Sequence, residues 1–175
     1  MALSLLILII MVVFTLDQVT KMLLMGVRLE LIPKLIYFTP RFNDGAAFSS
    51  LSGELLFFII FTILALAVMV YFLISKKWSN HPLFKTTVAI MIGGVIGNFV
   101  DRLALGVVRD FILVYPLGFV CNVADIAITA ACVMFVVYLF FYHDKEEKKK
   151  LSNKQKEGVM PDNKIETGTG EKEKL

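Results

Sequence analysis

Two aspartates are the residues in this chain best suited to do chemistry. Asp110 and Asp125 lie fifteen residues apart in the stretch 107–125, VVRDFILVYPLGFVCNVAD. Pro116-Leu117-Gly118 falls between them and permits a reversal, so one carboxylate can come from an extended segment and the other from a helix. Peptide hydrolysis needs a base to activate water and an acid to protonate the leaving amine. Two close carboxylates supply both, because they do not easily both ionise and so share a proton. Other nucleophiles are poorly placed. Ser49, Ser50 and Ser52 have no histidine nearby in sequence, and His81 and His143 fall toward the opposite side of the molecule. Cys121 and Cys132 are eleven residues apart, roughly 16 Å along one helix, too far for a disulfide within it. They read as small buried apolar residues. No His or Cys cluster has metal-ligand spacing, so no metal or cofactor is expected.

More polar residues recur at helical spacing. Asp17 and Lys21 stand at i and i+4, with the acid N-terminal to the base. Asn98, Asp101 and Arg102 stand at i, i+3 and i+4, and Asn122 and Asp125 at i and i+3. Acids and bases inside apolar runs are costly and usually have a task. Asp101 and Arg102 read as structural partners in a polar interior, and Asp17–Lys21 as a pair nearer water.

The elements that must position these groups are membrane spans. The chain is 57% hydrophobic, with a mean hydropathy of +0.74, and its apolar residues come in long runs. The net charge of +3 is modest and no basic patch interleaves with aromatics, so nucleic acid is a poor partner. Spans are expected at about 2–25, 55–75, 84–105 and 119–142. The first is not read as a signal peptide, since no Lys or Arg precedes it and no small-residue cleavage site follows. Gly93 and Gly97 form a G-x-x-x-G pair that lets another helix approach, and Gly106 ends the third span.

Residues 28–53 differ. Arg28 to Leu31 alternates polar and apolar, Pro33 and Pro40 break helices, and Asn43-Asp44-Gly45 signals a turn. The expected fold is an all-α membrane protein of four transmembrane helices, with a small β-containing extramembrane segment on the outer face. It comprises one membrane-embedded domain, 1–143, and a Lys- and Glu-rich tail, 144–175, expected to be disordered and solvated. Lys76, Lys77 and Lys85, with Lys145, Lys148, Lys149 and Lys150, place both termini in the cytoplasm by the positive-inside rule. The polar residues of three spans and two loops then converge near the outer face.

Five blocks in order give the chain a resemblance to the lipoprotein signal peptidases (signal peptidase II): DQVTK at 17–21, NDGAAF at 43–48, GNFVDR at 97–102, RDF at 109–111 and NVAD at 122–125. They cover nearly all of the chain but the tail. The resemblance implies an aspartyl endopeptidase of the bacterial cytoplasmic membrane. Such enzymes cleave prolipoproteins before a cysteine bearing a diacylglyceryl group, work among membrane lipids and need no cofactor. By motif it implies that Asp110 and Asp125 are the catalytic pair. Asn43, Gly45, Asn98, Arg102 and Asn122 match positions lining the site, and Asp17, Lys21 and Asp101 match structural polar positions. The chain departs from the family pattern at Arg109, where a small or β-branched residue is common, and in its long charged tail. In an extended segment Arg109 would point away from Asp110. The rival reading is a small proton-coupled transporter or a subunit of a membrane complex. A transport path would carry polar residues through to the other face, whereas spans two and four are apolar across their cytoplasmic halves.

Overall fold

The computed structural model describes residues 2–45, 55–75 and 81–143, together with 145 and 148. Ser49, Ser50, Ser52, Lys76, Lys77 and nearly all of the tail lie outside the described residues. Helices form at Leu3–Leu24 (α1), Leu55–Ile74 (α2), Pro82–Leu105 (α3) and Val123–Tyr138 (α4), the last continued by a π-helical turn, Leu139–His143. They run 22, 20, 24 and, with that turn, 21 residues. At about 1.5 Å per residue each matches the ~30 Å hydrocarbon layer. The outward faces of α1, α2 and α4 are apolar and exposed, as a helix facing lipid must be.

The central helix is α3, which packs against α1, α2 and α4. Its ends are well defined. Pro82 opens it, the His81 side chain accepts from the Leu83 N–H, and Gly106 closes it at φ 76°. Small residues explain its central place. A Cβ on Gly93 would lie 2.9 Å from the Ile10 carbonyl oxygen of α1. One on Gly94 would lie 2.8 Å from the Ala124 carbonyl oxygen of α4. The adjacent Gly93 and Gly94 thus admit two helices, α1 and α4, while the G-x-x-x-G pair read from the sequence, Gly93 and Gly97, lies against α1.

Four strands form one antiparallel sheet in the order β1-β2-β3-β4: Leu29–Ile32, Ile36–Asn43, Val108–Val114 and Phe119–Cys121. The pairing of β2 with β3 shifts register between Phe38 and Arg41. Phe38 faces Ile112 and Arg41 faces Asp110, so β2 spends one extra residue there, beside Pro40, which cannot donate to a ladder. Because a one-residue slip turns every side chain to the other face, this bulge decides which residues of β2 share a face with Asp110.

One boundary differs from the sequence expectation. The fourth span does not begin near Phe119. Phe119–Cys121 is a strand paired with Ile112–Val114, and the helix starts only after Asn122. A short apolar run fits strand and helix equally, and the tight turn at Pro116–Gly118 folds it back onto β3.

Candidate active site

Asp110 sits on β3 and is 1% exposed. Arg41 and Asn43, past the bulge, share its face of the sheet. Asn43 Nδ2 donates to Asp110 Oδ2 at 2.9 Å, and Asn43 Oδ1 accepts from the Gly45 N–H at 2.9 Å. Gly45 stands at φ 93°, and a Cβ there would meet the Phe58 ring at 2.7 Å. The Asn-Asp-Gly turn therefore orients the amide that holds Asp110.

Asp125 is placed by the first turn of α4. Asn122 and Asp125 form a capping box. The Asn122 side chain accepts from the Asp125 N–H at 2.9 Å, and Asp125 Oδ2 accepts from the Asn122 N–H at 3.1 Å. The same Asn122 donates through Nδ2 to Asp110 Oδ1 at 2.6 Å and to Asn98 Oδ1 at 3.0 Å. Asn98 Nδ2 in turn donates to Asp125 Oδ1 at 2.8 Å. Two asparagines thus tie the carboxylates of β3 and α4 into one cluster.

Behind the asparagines lies a buried charged network. Lys21 Nζ donates to Asn98 Oδ1 at 2.9 Å and pairs with Asp17 Oδ2 at 2.8 Å and Asp101 Oδ2 at 3.2 Å. Three protons meet three acceptors. Asp17 Oδ1 also accepts from the Ala124 N–H at 2.9 Å, joining α1 to the start of α4. Gly97 leaves room for this, since a Cβ there would lie 2.5 Å from Asp17 Oδ2.

Two expectations about this network need correction. Asp17 and Lys21 are not near water; both are fully buried. Asp101 is not partnered by Arg102. Its partners are Lys21 and Arg109, whose Nη2 lies 2.7 Å from Asp101 Oδ1. Adjacent helical residues point about 100° apart, so Asp101 faces α1 and β3 while Arg102 faces α2. The Arg102 guanidinium stands 5.1 Å over the Phe58 ring. Gln18, which helical spacing does not single out, joins the same network. Its Nε2 donates to the Gly97 carbonyl at 3.0 Å and to Asp17 Oδ2 at 3.1 Å, while its Oε1 accepts from Arg109 Nη2 at 2.9 Å. The available signal was its place beside Asp17 in a polar break within an apolar run.

Burial pushes the Asp110 carboxyl up to about 6, with the Asp125 charge adding to the shift and the Asn43, Asn122 and Lys21 contacts opposing it. Cys121, on β4, is pushed up to about 11, first by burial and then by Asp125 and Asp110, so it stays a neutral thiol. Two openings lead to the cluster. A cleft of about 400 Å³ lies on the sheet side, lined by Arg41, Asn43, Asp110 and Phe119 among others. A groove of about 310 Å³ between α2, α3 and α4 is walled by Phe57, Phe58 and Phe61 and ends at Asn98 and Arg102. Further along the same helices the lining is apolar but for Thr87, so no polar path crosses the bundle among the described residues.

Comparison with known proteins gives a consistent result. The sequence model of the family described as Signal peptidase (SPase) II matches residues 9–141. The chain is 42% identical to the lipoprotein signal peptidase of Lactobacillus gasseri over 116 residues, 66% of this chain and 75% of that one. It is 36% identical to the lipoprotein signal peptidase of Listeria monocytogenes serotype 4a over 144 residues, 76% of this chain and 91% of that one. A solved bacterial membrane enzyme, determined at 1.9 Å, is similar with a TM-score of 0.72 and 33% identity over 80% of this chain and 95% of its own. The matched region runs from within α1 past the end of α4 at Tyr138 and takes in every strand, so the chain belongs to the signal peptidase II family of multi-pass bacterial membrane peptidases.

Proposed function

We propose that the chain is an aspartic endopeptidase that removes signal peptides from prolipoproteins, cutting before the diacylglyceryl-modified cysteine. The carrying observation is the pair Asp110 and Asp125, bridged by Asn122 and Asn98, with the cleft reaching Asp110 and the apolar groove reaching Asn98. The relatives' name, lipoprotein signal peptidase, supplies the substrate class. The groove suits the acyl chains of such a substrate, and the cleft beside the sheet suits its extended peptide.

In this reading Asp110, with its raised carboxyl, holds the shared proton, and Asp125 is the base. Water attacks the scissile carbonyl carbon and gives a proton to Asp125, while Asp110 protonates the carbonyl oxygen. The resulting diol collapses. Asp125 passes its proton to the departing nitrogen, the C–N bond breaks, and a diol hydroxyl returns a proton to Asp110. Asn43, Asn98 and Asn122 hold the two carboxylates in register, Gly45 sets Asn43, and Arg102 brings a positive charge within electrostatic reach of both acids. Asp17, Lys21 and Asp101 keep the helices in place behind them.

The test is cleavage of a diacylglyceryl-modified prolipoprotein by the purified protein across pH. The dyad works with one proton, so kcat/KM should fall as pH rises through about 6, where Asp110 loses it in the free enzyme. Absence of cleavage at every pH would overturn the reading.

We place the site at the outer face, with both termini cytoplasmic, on the lysine distribution. A reporter fused after Lys150 should read cytoplasmic, and one inserted near Asp44 should read external. The reverse pattern would move the site to the other side.

A further inference from the structure

We propose that Arg109 is a positioning residue for the two-aspartate site, acting through Asp101 and Lys21 and not on the substrate. This rests on the aspartic reading above. Arg109 precedes Asp110 on β3, so its side chain leaves from the opposite face of the strand. It meets Asp101 in three ways. The Arg109 N–H donates to Asp101 Oδ2 at 2.9 Å, Nη2 donates to Asp101 Oδ1 at 2.7 Å, and Nε lies 3.3 Å from the same oxygen. Nη2 also donates to Gln18 Oε1 on α1 at 2.9 Å. One residue thereby clamps β3 to two helices, one position before Asp110.

The clamp has two consequences. The first is geometric. Main chain and side chain of Arg109 are both held by the same carboxylate, so β3 cannot slide on α3 without breaking both. Asp110 must stay within 2.6 Å of the Asn122 amide, and a shift of about 1 Å is enough to disturb catalysis. The second is electrostatic. Asp17 and Asp101 face Lys21 and Arg109, two anions against two cations. Without Arg109 the cluster gains a net negative charge, and Lys21 alone links it to Asn98 and Asp125. Among the described residues the other charged groups around the dyad are Arg102 from α3, Arg41 from β2 and Asp44 at the cleft, while Cys121 from β4 stays neutral. Among the described residues Asp101 forms ion pairs with Lys21 and Arg109, so the charge lost with Arg109 is not replaced from these groups.

The experiment compares wild type with Arg109→Gln, Arg109→Lys and Gln18→Met in one cleavage assay on a diacylglyceryl-modified prolipoprotein, rated per mole of folded enzyme. Arg109→Gln should lower kcat about tenfold with KM changed little. It should also move the pH profile upward by about half a unit or more, since added negative charge holds the shared proton more tightly. Arg109→Lys should return the profile to its wild-type position while recovering kcat only in part, because an ammonium cannot make the forked contact. Gln18→Met removes a contact without changing charge and should leave the profile unmoved. An Arg109→Gln enzyme with an unshifted profile and wild-type kcat would overturn the proposal. If Arg109→Gln is too unstable to purify, Arg109→Lys decides: kcat reduced at an unmoved optimum sustains it, and wild-type kcat sinks it. Asp110→Asn in the same assay keeps the two questions apart. If that variant is inactive and the Arg109 variants behave as wild type, only the role of Arg109 is lost.

Discussion

Replacing either Asp110 or Asp125 by asparagine should lower the rate of prolipoprotein cleavage by about 10³-fold or more while leaving the protein folded in the membrane. An amide keeps the shape of the carboxyl but cannot carry the shared proton. Each substitution still leaves most of the local bonds. Asparagine at 125 can accept from Asn98 Nδ2 through its one oxygen, and asparagine at 110 can accept from Asn122 Nδ2. Each loses one acceptor, for Asn122 N–H and Asn43 Nδ2 respectively, at a cost of about 1 kcal/mol each. The fold should therefore survive and the chemistry should not. The double variant should be scarcely slower than either single one, because the two groups act as a unit and such losses are not additive. The measurement is single-turnover cleavage of a lipid-modified substrate by purified variants with matched thermal unfolding. Near-normal turnover by either single variant would remove the two-aspartate mechanism.

Much of this arrangement was legible in the sequence, and the reasons are physical. An apolar run of about 20 residues has one economical solution in a bilayer, so the four helices followed from length alone. Helical spacing correctly grouped Asn98 with Asp101, because i, i+3 neighbours share a face, and Asn122 does meet Asp125, though as the N-cap of a capping box and not as a helical neighbour. Partners across space were not legible. Asp101 and Arg102 look like a pair on paper, yet they diverge around α3, and Asp101 finds Lys21 and Arg109 instead. Gln18 meets Gly97 and Arg109 across 79 and 91 residues of chain, and no local pattern encodes that. The strand at Phe119–Cys121 was hidden for a different reason: three apolar residues before a helix carry no period of their own.

The same buried network sets the second large effect, Lys21→Met, which should destabilise the protein by about 3–5 kcal/mol. Lys21 is fully buried on α1, and its ammonium satisfies Asp17, Asp101 and Asn98 at once. Methionine fills similar space and suits an apolar helix, so lost packing is a minor part. The main loss is that the Asp17 carboxyl is left inside the bundle with no cation beside it. Asp101 suffers less, because Arg109 remains 2.7 Å away. Activity should fall further than the population of folded protein does. Asn98 Oδ1 loses its Lys21 donor, and the Asn98 amide that holds Asp125 is then anchored by Asn122 alone. The origin of the effect can be isolated. Asp17→Asn added to Lys21→Met removes the stranded charge, and the asparagine Oδ1 can still accept from the Ala124 N–H. The double variant should therefore recover much of the stability lost by Lys21→Met, since a neutral pair of similar volume replaces a buried ion pair at little cost. Thermal unfolding of the three variants in one detergent, read beside cleavage rate, makes the comparison. A Lys21→Met protein as stable as wild type, or a double variant weaker than the single, would show that the stranded carboxylate of Asp17 is not what the lysine is there to prevent.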